Sequence, residues 1–139
     1  MNSSFKKIRF GIVGTGTIAH RFASAIKNVA NAELVAVASR TKENAEKFGD
    51  EFDIPVRFDS YEKMAQSDVI DAAYIAVPHS GHIGCSCLMM NNGKHVLCEK
   101  PMAKTYEEAV KMCEASERTG KKLSIGYQNR CTAENIYVK

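Results

Sequence analysis

At 139 residues the chain has the size of one domain, large enough to bury roughly two-thirds of its unfolded surface. Its net charge of +3 comes from 19 basic and 16 acidic residues spread along the chain, so no basic block marks a nucleic-acid or membrane surface. No run of about 18 apolar residues is present to span a bilayer, and the start Met1-Asn2-Ser3-Ser4-Phe5-Lys6-Lys7 lacks the apolar core of a signal peptide.

Residues 8–13 form a short, mostly apolar run that ends in glycines and predicts a buried strand. Residues 17–29 carry Ile18, Phe22, Ile26 and Val29 at a helix period. Leu34-Val35-Ala36-Val37-Ala38 has no polar alternation, as a strand covered on both faces requires. Thr41 can cap the next helix, whose apolar stripe is Ala45, Phe48 and Phe52. A short strand at 56–58 and a short helix from Ser60 follow, then a strand over 71–77 stopped by Pro78. The helix after it runs to about Asn92 and ends at Gly93, a natural left-handed cap. His95-Val96-Leu97-Cys98 is the next strand. Thr105 and Glu108 make a capping box that opens a helix running to Gly120, before a last strand over 122–127. Strand and helix alternate almost throughout, which predicts a doubly wound α/β domain: about six parallel strands with helices on both faces.

The first strand runs into Gly14-Thr15-Gly16-Thr17-Ile18-Ala19, which fits G-x-G-x-x-A. Gly14 allows a tight turn, Gly16 leaves room for a pyrophosphate, and Ala19 lets the helix pack closely on the strand. The phosphates would meet the free N–H groups of Thr17 and Ile18 at the helix N-terminus. Alone this pattern is weak; between a predicted strand and a predicted helix it is a dinucleotide fingerprint. At the end of the second strand, where an NAD enzyme usually places Asp or Glu, stands Ser39-Arg40-Thr41-Lys42. Arg40 can stack on adenine and pair with a 2′-phosphate, with Ser39 and Thr41 as further donors. NADP is the expected cofactor, with NAD use left open.

Gly14-Thr15-Gly16, Ser39-Arg40, Pro78 with His82, and above all Glu99-Lys100-Pro101 resemble the Gfo/Idh/MocA oxidoreductases, over essentially the whole chain. The resemblance implies an NAD(P)-binding Rossmann domain over 1–128, with 129–139 starting the crossover to a C-terminal substrate domain outside this sequence. It further implies hydride transfer to or from a carbinol carbon of a sugar, polyol or diol, and a homo-oligomer in the full-length enzyme. Lys100 would be the catalytic residue, beside the nicotinamide and the substrate hydroxyl. Pro78, His79 and His82 would line the nicotinamide side and Glu99 would border it, while Asn129 and Arg130 belong to a segment reaching the active site. The family's catalytic His lies in the second domain, so this chain alone is expected to bind a dinucleotide and to turn over substrate poorly or not at all.

Other side chains read more plainly. His79 and His82 lack a carboxylate or cysteine to complete a metal site, so no metal is expected. Five cysteines without small-domain spacing predict free thiols and a cytoplasmic protein. Cys85 and Cys87 fall about 200° apart on a helix; Cys98 and Cys113 read as core, and Cys131 as exposed. Met89, Met90 and Met112 read as packing. A non-catalytic nucleotide sensor is the competing reading, which has no need of Lys100. An S-adenosylmethionine domain is disfavoured, since no acidic residue awaits a ribose.

Overall fold

The computed structural model describes residues 6–132. Its six strands are β1 (Ile8–Val13), β2 (Ala32–Ala38), β3 (Val56–Phe58), β4 (Ala72–Ile75), β5 (His95–Cys98) and β6 (Leu123–Ile125). Between them lie α1 (Thr17–Ala25), α2 (Lys42–Phe52), α3 (Tyr61–Gln66), α4 (His82–Asn91) and α5 (Tyr106–Thr119). All pairings are parallel, in the order β3-β2-β1-β4-β5-β6. The chain winds outward from β1 to β3, then returns to start again at β4. The carboxyl ends of β1 and β4 therefore flank the switch point at which α/β sheets open a crevice.

Side-chain alternation sorts the strands between two cores. Val13, Ala36, Ala38, Ala73, Ile75, Val96 and Cys98 face Met64, Met89, Met90 and Met112, supplied by α3, α4 and α5. Ile12, Val37 and Tyr74 face Ala19, Ala23 and Phe48 of α1 and α2. Helices thus cover both faces, but unevenly. On the α1 side the strip formed by Ile8, Phe10, Ala72, His95 and Leu97 lines an open apolar groove.

Thr41, Ser60 and Thr105 each accept a hydrogen bond from the backbone three residues on, which fixes the starts of α2, α3 and α5. Glu108 completes its box one residue early, accepting from the Lys104 N–H at 3.0 Å. Two expectations shift. The helix predicted over 17–29 ends at Ala25 and tightens into a 3₁₀ turn at Ile26–Asn28; Val29 is extended and 44% exposed. Its N–H bonds back to Ile26 at 3.0 Å, and the chain must then unwind to enter β2. Cys113, expected in the core, is exposed because Met112 takes the buried position, and each helical step rotates about 100°. Cys85 and Cys98 are buried, and burial pushes both thiols up to about 11. They are inert core groups. Among the described residues no helix is long and apolar enough to cross a membrane.

The amino ends of β1 and β4 are clamped by one ion pair. Asp71 accepts from Arg9 Nε at 3.1 Å, Nη2 at 2.7 Å and the backbone N–H at 2.9 Å. These bonds hold the Asp71 carboxyl at about 2, below its ordinary 3.8. A carboxylate depressed by folding stabilises the native state above its unfolded value, and that contribution is lost as pH falls through the folded one. The denaturation midpoint of the native chain is therefore expected to fall between about pH 4 and pH 2. Asp71→Asn should flatten that segment of the profile. An unchanged slope would remove the clamp from the acid response.

Candidate functional site

The crevice is built from the ends of three strands. Gly14 leaves β1 with φ +99°, and its N–H donates to Ala38 O at 2.9 Å, while the Ala76 N–H donates to Val13 O at 2.9 Å. A Cβ on Gly14 would lie 2.7 Å from Ala76 O, so only glycine fits. Gly16 differs. It is the N-cap of α1 in extended geometry, and a Cβ there would meet nothing within 4 Å. Its missing side chain leaves open space in front of the helix rather than relieving a clash. No side chain caps α1 and its first turn holds no acid, so the N–H groups of Thr17 and Ile18 and the positive helix end stay available. Ala19 is fully buried against the sheet.

In front of this turn lies a cavity of about 460 Å³, within the range of small-ligand sites. Gly14, Thr15 and Gly16 form its floor, with Ser39, Arg40 and Thr41 on one wall and Ala76, Val77 and Pro78 on the other. The structure thus brings the glycine turn and the Ser39-Arg40-Thr41 set into one space. Glu33 stands at the opposite end of β2, away from it. Asn44 and Tyr61 also line the cavity, and the sequence pattern missed both. Asn44 could have been found as the residue whose N–H meets the Thr41 cap, at 3.3 Å. Tyr61 follows the Ser60 cap, but no local pattern aims it across β2.

A second, shallower cavity of about 250 Å³ gathers Lys100 with Gly126, Tyr127, Gln128, Asn129 and Arg130. Here β5 and β6 end side by side. Arg130 Cζ lies 5.8 Å from the Tyr127 ring centroid. Lys100 itself is exposed.

Of the residues expected around the nicotinamide, His82 and Glu99 are buried. His82 is 1% exposed, and its ring lies against two carbonyls: Nδ1 is 2.7 Å from Pro101 O and Nε2 is 3.0 Å from Val77 O. It ties the Val77-Pro78 wall to the Lys100-Pro101 corner from inside. His79 stays on the surface, edge-on to that ring at 5.5 Å. Glu99 is 6% exposed. Tyr74 Oη donates to its Oε1 at 2.5 Å, Gln128 Nε2 donates to the same oxygen at 3.4 Å, and the Lys100 N–H donates to Oε2 at 3.3 Å. Burial, followed by the Glu99 carboxylate, pushes the Tyr74 phenol well above its ordinary range, so it remains a donor. Among the described residues no three His, Cys, Asp or Glu side chains gather as metal ligands.

With this geometry in view, comparison with known proteins is informative. Residues 8–127 match the Gfo/Idh/MocA family model, described as an oxidoreductase family with an NAD-binding Rossmann fold. The chain is 41% identical over 113 residues to a scyllo-inositol 2-dehydrogenase (NADP(+)) of Bacillus subtilis, covering 81% of this chain and 34% of the relative. It is 36% identical over 114 residues to a trans-1,2-dihydrobenzene-1,2-diol dehydrogenase of Danio rerio, with the same coverage of 81% and 34%. The crystal structure of scyllo-inositol dehydrogenase from Lactobacillus casei, with bound NAD(H) and scyllo-inositol, superposes with a TM-score of 0.88 at 27% identity. That match covers 96% of this chain and 40% of the other. The chain spans about a third of the length of the curated relatives it matches. It belongs to the Gfo/Idh/MocA oxidoreductase family, and what it contains is the family's NAD(P)-binding Rossmann domain.

Proposed function

We propose that this chain is the cofactor domain of an NADP-dependent oxidoreductase that moves a hydride between nicotinamide and a carbinol carbon of a sugar, polyol or diol. One observation carries the cofactor half of this reading: a single cavity joins the open glycine turn to Ser39, Arg40 and Thr41, and no acidic side chain stands at the end of β2. The pyrophosphate would rest on Gly14, Thr15 and Gly16 and on the N–H groups of Thr17 and Ile18, with Ala19 keeping the helix close. Arg40 would pair with the 2′-phosphate, assisted by Ser39 and Thr41. The nicotinamide end would then leave past Pro78 and His79 toward Lys100, Asn129 and Arg130. When bound, the nicotinamide supplies or accepts the hydride. Lys100, exposed at the head of its cavity, would hold the substrate hydroxyl and handle its proton. The polyol and diol specificities of the relatives support that substrate class. All five cysteines are free, which supports a reducing cytoplasm as the compartment.

Calorimetric titration with NADPH and NADH side by side tests the reading. NADPH is expected to bind more tightly. Arg40→Asp should weaken NADPH by about 10- to 100-fold, the worth of a lost charge-assisted contact, while sparing NADH. A preference for NADH would overturn the 2′-phosphate assignment.

A further inference from the structure

Glu99 is a buried carboxyl, 6% exposed. Among the described residues no ion pair reaches it, and its three donors are a phenol, an amide and a backbone N–H. Donors aimed at both carboxyl oxygens favour the carboxylate over the neutral acid, because each bond is stronger to a charged acceptor. Tyr74, whose phenol keeps its proton, occupies Oε1 together with Gln128, and the Lys100 N–H occupies Oε2. The donors are thus arranged for the carboxylate. Because they are neutral, they solvate the charge without cancelling it.

The place of that charge follows from the His82 tie. One ring spans Val77 O and Pro101 O, so the Glu99–Pro101 corner abuts the Val77-Pro78 wall of the dinucleotide cavity. The opposite wall is Ser39, Arg40 and Thr41. A dinucleotide with its 2′-phosphate at Arg40 and its pyrophosphate on the glycine turn has one direction left for its nicotinamide: toward this corner. The nicotinamide ring carries a positive charge when oxidised and none when reduced.

We infer that Glu99 is a fixed counter-charge that favours the oxidised cofactor over the reduced one, acting from behind the Lys100 corner. It rests on the cofactor reading above and deepens it, since it concerns which redox form the site prefers. A group that only held the loops together would weaken both forms alike. A counter-charge discriminates between them, because only one form presents the charge it attracts.

The test is titration of this chain with NADP+ and with NADPH, for the native protein, Glu99→Gln and Glu99→Asp. Glutamine keeps the volume and an acceptor oxygen and removes the charge; aspartate keeps the charge. Glu99→Gln is expected to raise the ratio Kd(NADP+)/Kd(NADPH) by about three- to tenfold, as one unit charge acting over several ångströms in a partly hydrated site would. Glu99→Asp should keep the native ratio. Should Glu99→Gln fail to fold, the neutral Glu99→Met is measured in its place, with the same expectation. An equal loss for both forms, or an unchanged ratio, overturns the proposal alone. Failure of the native chain to bind either form overturns the cofactor reading and this proposal with it.

Discussion

Gly14→Val is expected to destabilise the domain by about 2–5 kcal/mol and to abolish dinucleotide binding. The backbone at Gly14 has φ +99°, a region that costs an L-residue about 1–2 kcal/mol. The added Cβ would also stand 2.7 Å from Ala76 O and 3.1 Å from the Ala76 carbonyl carbon. Neither neighbour can step aside. Ala76 is held by its N–H to Val13 O, and Gly14 by its own N–H to Ala38 O, both at 2.9 Å. Overpacking against such a fixed backbone adds about 1–3 kcal/mol. The sum is a large share of the roughly 5–15 kcal/mol that stabilises an ordinary domain. Gly16→Ala separates the two roles of glycine in this turn. Its Cβ meets nothing and its φ is −81°, so stability should stay within about 0.5 kcal/mol. The methyl group would nonetheless enter the space in front of α1, and cofactor affinity should fall. Guanidinium midpoints for both variants, with NADPH titration of Gly16→Ala, check this. Equal stability losses would refute the distinction.

The contrast between these glycines also marks what the sequence can tell. That a glycine turn joins a strand to a helix was legible, because apolar run, glycine pair and helix period all lie within a dozen residues. The caps at Thr41, Ser60 and Thr105 were legible for the same reason: their partners are three residues away. Which way Glu99 points was not. Its tightest partner, Tyr74, is 25 residues distant and sits in an apolar run with nothing to mark it as polar. The two meet because β4 and β5 are neighbours in register, with Tyr74 opposite Leu97, two residues before Glu99. The burial of His82 was hidden on similar grounds. Its carbonyl partners, Val77 and Pro101, come together only when the loops after β4 and β5 are folded against each other. Local pattern fixes elements and turns; the inward or outward aim of a polar side chain at a strand end depends on the neighbouring strand.

That dependence gives His82 a measurable weight. His82→Leu is expected to destabilise the chain by about 1–3 kcal/mol, with little contribution from a cavity because the two side chains are similar in size. Either neutral imidazole tautomer carries one N–H, so the loss arises from one of the two carbonyls, Val77 O or Pro101 O, that face a ring 1% exposed to solvent. A part-buried acceptor left without its donor costs about 1–3 kcal/mol, less whatever water regains at the loop surface. His79→Leu is the control. That ring is on the surface and stacks edge-on against His82, so its replacement should stay within about 0.5 kcal/mol. A second readout follows from the position of the tie. Released from His82, the Lys100-Pro101 corner should open more readily, and amide hydrogen exchange at Lys100 and Met102 should accelerate in His82→Leu but not in His79→Leu. Equal midpoints for the two variants would mean that the ring is packing only, and that another contact holds the cavity wall to the corner bearing Lys100.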